Sequence, residues 1–245
     1  MPVPTPVHIH PTAPLAARVL LPGDPGRALL LAQLLTSEPK MFNHNRGLWG
    51  YTGAAADGEL LTIQSTGLGG PSAAIVLEEL CDLGLSTAIR VGTCGALAAG
   101  FALGDLVVAE AALACDGASR ALGAGDRVAA DARLVAALRD AAGPRSHAGV
   151  IATSDLFYDP DPTRSRAWVR DGALAVEMET AALLRVGELR GVRVACLLAV
   201  SDIFDADGTR HRLDAQGLVQ AGERLGRVAA SALAVGESVE LNLDR

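Results

Sequence analysis

The residues best placed to do chemistry lie in Ile89-Arg90-Val91-Gly92-Thr93-Cys94-Gly95-Ala96. The apolar run from Ala88 to Val91 reads as a buried strand broken by one cation. Gly92 and Gly95 flank a hydroxyl and a thiol, and read as a turn where backbone N–H groups can approach a ligand. A cation at the end of a buried strand requires an anion. Two anions would serve. A protein carboxylate would make Arg90 structural; a bound phosphate would match its planar fork of donors and the Thr93 hydroxyl.

Other polar groups follow other apolar runs in the same way. The β-prone run Ala16 to Leu21 ends in Pro22-Gly23-Asp24-Pro25-Gly26-Arg27, ahead of a helix over 28–35. A glycine turn at a helix N-terminus welcomes an anion, and Asp24 could equally cap that helix. Thr66-Gly67-Leu68-Gly69-Gly70-Pro71-Ser72 opens a helix over 72–83. A short strand over 148–153 leads into Ser154-Asp155-Leu156-Phe157-Tyr158, with two adjacent aromatics. A strand over 173–178 ends in Val176-Glu177-Met178-Glu179, two carboxylates that are costly to bury without partners. The most apolar strand, 192–200, stops at Ser201-Asp202.

These groups need elements to position them, and the chain supplies an alternation of strands and helices. Residues 43–53 read as a strand entered from a loop that carries an exposed Arg46, and 59–65 as its hairpin partner. A strand over 103–109 follows, then a Gly-rich loop over 117–130 and helices over 131–142, 162–171 and 180–190. A charged loop, 205–214, holds Arg210, His211 and Arg212 before a final amphipathic helix over 213–234. Long apolar strands alternating with helices indicate an α/β protein whose mostly parallel or mixed sheet is covered by helices. With no linker and no composition shift, residues 1–245 read as a single domain. The polar groups then fall along one rim, at the strand ends where ligands bind in such sheets.

Composition excludes several classes. Half the 245 residues are apolar, a fifth are charged, and the net charge is −7 with scattered arginines, which disfavours nucleic acid, while no apolar run reaches membrane-spanning length, which disfavours a membrane. Cys81, Cys94, Cys115 and Cys196 lie far apart in apolar surroundings. They read as reduced core thiols of a cytoplasmic protein with no metal site. Met1-Pro-Val-Pro-Thr-Pro lacks the cationic and apolar regions of a secretory leader. Neither a dinucleotide nor a P-loop glycine pattern is present, nor a G-x-S-x-G elbow. What remains is arginines and a hydroxyl for an oxyanion, carboxylates for sugar hydroxyls, an aromatic for a base and an aspartate for a proton. Those parts suit phosphorolysis of a nucleoside.

The sequence closely resembles the nucleoside phosphorylase family of the hexameric bacterial purine nucleoside phosphorylase and uridine phosphorylase type. The resemblance runs from His8 to about Ala234 and rests on Leu21–Arg27, Asn45–Gly53, Arg90–Gly95, Ser154–Tyr158, Val176–Glu179 and Val200–Asp202. It implies a phosphorylase/hydrolase-like α/β domain with a central, mixed, partly barrel-like β-sheet flanked by helices. By resemblance, Gly23, Arg27, Arg90 and Thr93 match the phosphate site, and Arg46 matches the arginine that reaches it from a neighbouring subunit. Glu179 matches the carboxylate on the ribose 2′- and 3′-hydroxyls, Met178 the residue packing on the sugar, and His8, with His10 close by, the histidine a neighbour sends to the 5′-hydroxyl. Phe157 matches the aromatic on the base, with Val176, Glu177 and Ser201 lining the same pocket.

Asp202 matches the acid that protonates a departing purine, and the apolar strand before it supplies a setting in which a carboxyl can hold a proton. The family pairs this residue with an arginine; Arg212 is favoured slightly over Arg210. Uridine-type members carry a Gln-x-Arg pair after the Phe-Tyr, whereas Phe157-Tyr158 is followed here by Asp-Pro-Asp-Pro-Thr-Arg, which favours purines. Leu68 stands where a ribose-contacting Met is common. The resemblance therefore implies purine salvage by a cytoplasmic homo-oligomer, a dimer at least and a hexamer by analogy. Phosphate would be co-substrate, and no other cofactor or metal is called for. Uridine phosphorolysis, hydrolysis by a nucleosidase of the same fold, and non-catalytic nucleoside binding are the alternatives.

Overall fold

A computed structural model describes residues 6–144, 146–205, 207 and 209–238 of the chain. Residues 1–5, on which the expectation about a leader partly rests, lie outside them. The strands are β1 (Arg18–Leu21), β2 (Thr36–Asn43), β3 (Gly50–Ala55), β4 (Leu60–Gln64), β5 (Thr87–Ala96), β6 (Leu106–Ala114), β7 (Arg127–Ala129), β8 (Ser146–Thr153), β9 (Ala173–Glu177), β10 (Arg193–Phe204) and β11 (Arg210–Arg212). The helices are α1 (Pro25–Leu35), α2 (Gly70–Asp82), α3 (Gly117–Ala121), α4 (Ala132–Ala142), α5 (Thr163–Arg170), α6 (Thr180–Arg190) and α7 (Ala215–Ser238), with a 3₁₀ turn at Asn45–Gly47.

All eleven strands join one mixed sheet. Five of them close into a ring, because β10 pairs with both β6 and β5 while β6, β8, β9 and β5 pair in succession. An arm of β1, β4, β3 and β2 extends from β5. Partial closure follows from β5 and β10, which run parallel in register from Thr87 and Arg193 to Thr93 and Ala199, so that each can take a further partner. The first half of β5 pairs with β1, and its last residues, Gly95 and Ala96, pair with β9. The family's mixed, partly barrel-like α/β fold is thus present.

Side-chain alternation along β10 shows how the helices are held. Val194, Cys196, Leu198 and Val200 pack in one buried cluster with Val76 and Leu77 of α2 and Leu183 and Val186 of α6. Ala195, Leu197 and Ala199 pack in the other with Leu31 of α1, Leu134 of α4 and Leu225 of α7. A strand buried on both faces reads as an unbroken apolar run, which is how 192–200 appears in the sequence.

Several elements differ from the sequence reading. Gly92, Thr93 and Gly95 lie within β5 instead of a turn, because β10 continues alongside and pairs with them. The polar stretch Thr36–Asn43 forms β2, an edge strand held by pairing with β3 and not by its own propensity. The loop expected over 117–130 contains α3, capped by the Asp116 side chain at Ser119 N, and β7, which pairs with β6. The loop expected over 205–214 contains β11, which folds back on β10. Of the thiols expected in the core, Cys94 and Cys196 are buried, but Cys81 is half-buried and Cys115 is exposed where β6 turns toward α3.

Candidate active site

One cavity of about 650 Å³ opens at the C-terminal ends of β1, β4, β5, β9 and β10. Gly23, Arg27, Arg46, Arg90, Thr93, Phe157, Val176, Glu177, Met178, Glu179, Ser201, Asp202 and Arg212 all border it. Of the site residues expected from sequence, only His8 is elsewhere. Its ring Nδ1 lies 2.7 Å from Glu79 Oε1, and Glu79 also accepts the amides of Val7, His8 and Ile9. Glu79 therefore anchors the N-terminal segment against α2. The His10 ring turns back to the Val7 carbonyl, 3.1 Å away. Arg46 is exposed on its 3₁₀ turn with φ 56°, and it borders its own chain's cavity.

At one end of the cavity the two glycine turns lie side by side. Thr66 N donates to Pro22 O, and Gly67 N donates to Gly23 O at 3.0 Å, which extends the β1–β4 pairing past the strand ends. A Cβ on Gly23 would sit 3.2 Å from Gly67 O, so any side chain there would press the two turns slightly apart. Asp24 caps α1 by accepting from Arg27 N at 2.7 Å. The guanidinium of Arg27 reaches back over the sheet toward Val91 O, at 3.4 Å. Burial lowers the pKa of Arg27, an effect that Asp24 opposes.

Arg90 satisfies both sequence readings at once. It is buried, its Nε donates to Glu177 Oε2 at 2.9 Å, and its Nη2 donates to Glu179 Oε2 at 2.5 Å. Nη1 is also buried yet has no hydrogen-bond partner among the described residues. It faces the Gly23 turn, 4.0 Å from where a Cβ there would be. Gly92 makes this pose possible: a Cβ at that position would meet Arg90 Nη2 at 2.7 Å and Cζ at 2.8 Å. Burial pulls the pKa of Arg90 down, but Glu179 and Glu177 more than offset it and the net direction is up. Burial raises Glu179, against the pull of Arg90. The other oxygen of Glu179 accepts from Gly69 N at 2.7 Å, which ties the second glycine turn to α6.

Glu177 borders the cavity as expected, and its carboxylate is held by protein donors. It accepts from Thr153 Oγ1 at 2.6 Å, Glu179 N at 2.9 Å and Thr180 N at 3.0 Å, as well as from Arg90. A buried carboxylate between a strand end and a helix start collects the helix's free amides. Burial pushes the Cys94 thiol well up, so it lines the cavity as an inert group.

At the opposite end, a bulge at Ser201 interrupts the β5–β10 register and turns Asp202 toward the cavity. The expected apolar setting is not what surrounds this carboxyl. Ser201 Oγ lies 2.6 Å from Oδ2, while Arg210 Nε and Nη2 lie 2.8 and 2.7 Å from Oδ1. Arg212, the arginine favoured from sequence, sits directly across the ladder from Asp202 but with Nε at 3.7 Å. Arg210, two positions away, reaches diagonally and makes the shorter contacts. Both guanidinium carbons lie over the half-exposed Phe157 ring, at 5.1 and 5.9 Å from its centroid. Tyr158 meets Phe157 edge-on and is exposed. Phe204 also borders the cavity and escaped the sequence reading, although a strand residue two after Asp202 shares its face.

The cavity thus joins an anion-seeking end, a pair of carboxylates, and an aromatic end with an aspartate. The chain belongs to the phosphorylase superfamily, whose family model matches residues 17–234. Within it, the chain is 38% identical over 195 residues to the DeoD-type purine nucleoside phosphorylase of Caldanaerobacter subterraneus subsp. tengcongensis, covering 77% of this chain and 83% of that protein. It is 38% identical over 203 residues to the DeoD-type purine nucleoside phosphorylase of Geobacillus kaustophilus, covering 80% and 85%. That of Clostridium perfringens is 36% identical over 194 residues, covering 77% and 82%.

Proposed function

We propose that the chain catalyses reversible phosphorolysis of purine nucleosides, giving the free base and ribose 1-phosphate or its deoxy counterpart. The observation that carries this reading is the buried Nη1 of Arg90. It is a cationic donor without a hydrogen-bond partner among the described residues, facing a glycine turn, in a cavity whose far end holds Asp202 beside Phe157. A buried unpaired donor of this kind calls for an anion, and phosphate suits a guanidinium. Family membership and the DeoD-type relatives support the same reaction.

In this reading Gly23, Arg27, Arg90 and Thr93 bind phosphate, Glu179 and Met178 hold the sugar, and Phe157, Val176 and Ser201 line the base. As the glycosidic bond lengthens, positive charge on the sugar is met by the phosphate dianion. Asp202 donates a proton to the departing purine, and Arg210 receives the carboxylate that is left. Arg46 and His8 serve the neighbouring subunit's site. For His8, its position outside its own chain's cavity supports this. The whole chain acts as a single domain in a homo-oligomer, at least a dimer and a hexamer by analogy, in purine salvage in the cytoplasm. The reaction calls for no metal or organic cofactor.

The test is release of base from inosine, adenosine, guanosine and uridine, each with and without phosphate. Phosphate-dependent cleavage of a purine nucleoside, faster than of uridine, is expected. Faster cleavage of uridine would overturn the choice of base, and undiminished cleavage without phosphate would overturn phosphorolysis.

A further inference from the structure

We propose that Glu177 and Thr153 are positioning residues for phosphate, acting through Arg90; the proposal rests on the phosphorolysis reading above. An arginine beside a carboxylate tends to pair through both terminal nitrogens at once. If Glu179 alone faced Arg90, that pairing would consume Nη1 and Nη2 together and leave nothing for an anion. Glu177 prevents it by taking Nε from the side, so that only Nη2 meets Glu179. The guanidinium is then fixed in rotation with Nη1 unpaired and turned toward Gly23.

This depends on Glu177 being immobile. Its Oε2 accepts from Glu179 N as well as Arg90 Nε, and its Oε1 accepts from Thr153 Oγ1 and Thr180 N. Thr153 ends β8, and its hydroxyl also accepts from Ala181 N at 2.9 Å in α6. The chain of contacts runs from β8 through β9 to β5, and Thr153, Glu177 and Arg90 are all buried. Neither Thr153 nor Glu177 touches a reacting atom in the proposed reaction. Their effect is on which way a donor points.

Two changes separate positioning from mere support. Glu177→Gln keeps the shape but removes the charge that holds Arg90 Nε, and its amide nitrogen must face either Arg90 Nε and Glu179 N or Thr180 N and the Thr153 hydroxyl, of which only the hydroxyl can accept. Thr153→Val removes the hydroxyl, and Thr153→Ser keeps it. Initial rates are measured over a grid of phosphate and purine nucleoside concentrations. We expect KM for phosphate to rise about tenfold or more in Glu177→Gln. In Thr153→Val a severalfold rise is expected, with recovery to within about twofold of wild type in Thr153→Ser. KM for the nucleoside should stay within about twofold in the Thr153 variants and should rise less than KM for phosphate in Glu177→Gln, since Glu177 also accepts from Glu179 N.

An equal rise in both KM values, or a Thr153→Val enzyme that matches Thr153→Ser, overturns the proposal. If Glu177→Gln does not fold, the Thr153 pair decides on the same criteria. Wild-type enzyme in phosphate-free buffer separates the two levels. Undiminished base release there refutes phosphorolysis itself. Phosphate-dependent wild type with unaltered variants refutes only the positioning role.

Discussion

Gly92 lies within a strand, at no unusual φ, and yet its hydrogen cannot be replaced without consequence. A methyl group there would stand 2.7 Å from Arg90 Nη2, 2.8 Å from Cζ and 3.1 Å from Leu198 Cδ2. Leu198 is fully buried and cannot retreat. Contact distance for such atoms begins at about 3.5 Å, so the guanidinium must withdraw by about 0.8 Å. Its bonds to Glu177 and Glu179 are 2.9 and 2.5 Å long, and a shift of that size takes at least one of them out of hydrogen-bonding range. A hydrogen bond to a charged group contributes about 1.5–3 kcal/mol. In Gly92→Ala that loss corresponds to a rise in KM for phosphate of roughly 10- to 150-fold. To the extent that the loss falls on the unliganded fold instead, it lowers Tm, by at most roughly 3–12 °C for a chain of this size. Initial rates at saturating inosine with varied phosphate, together with a thermal melt, measure both. A Gly92→Ala enzyme whose phosphate KM and Tm both equal those of wild type would refute the idea that this glycine exists to seat Arg90.

Three further outcomes follow from the same geometry. Asp202→Asn should lower kcat for inosine by about 10²- to 10⁴-fold with phosphate KM little changed; unaltered turnover would remove Asp202 as the acid. Arg210→Ala should lower kcat more than Arg212→Ala, since Arg210 holds Asp202 Oδ1 through Nε and Nη2 while Arg212 stands 3.7 Å away; the reverse order would restore Arg212 to first place. Away from the site, the side-chain bond from buried Arg18 holds the pKa of Asp57 below its usual 3.8. A depressed carboxylate stabilises the fold above its unfolded pKa and ceases to do so as pH falls through the folded value. Melts of wild type should therefore lose Tm below about pH 4, and Asp57→Asn should flatten that acid limb while lowering Tm at neutral pH. An acid limb equally steep in Asp57→Asn would exclude this pair as its source.

Much of the site was legible because its residues follow buried strands, and buried strands announce themselves as apolar runs. Arg90, Glu179 and Asp202 each end or interrupt such a run, and one sheet carries them to one rim. What the sequence could not show was partnership. Whether Arg90 meets phosphate or carboxylate looked like a choice, and the fold gives it two carboxylates while leaving one nitrogen over. Glu177 read only as a pocket wall because its partners Arg90 and Thr153 come from other strands, while the nearby amide of Thr180 is free to receive it only once α6 has formed. Resemblance favours Arg212 slightly; the fold sets it opposite Asp202, whereas the shorter contact runs diagonally from Arg210. Thr36–Asn43 carried no strand signal, since it lies at the sheet edge and needs no apolar face on both sides.

The hairpin of β10 and β11 divides the cavity into parts of unequal mutability. Gly23, Arg90, Glu177 and Glu179 are knitted into the centre of the sheet, where a change in one disturbs buried charges belonging to the others. Arg210 and Arg212 stand on a three-residue edge strand, and Phe157 and Tyr158 on an exposed loop, with both guanidiniums over the Phe157 ring and Tyr158 edge-on to it. Substitutions there leave the core intact. Descendants of this chain could therefore vary the aromatic end through the exposed loop, with Arg210 held back by its contact to Asp202, while the end built around Arg90 stays locked to the requirements of folding.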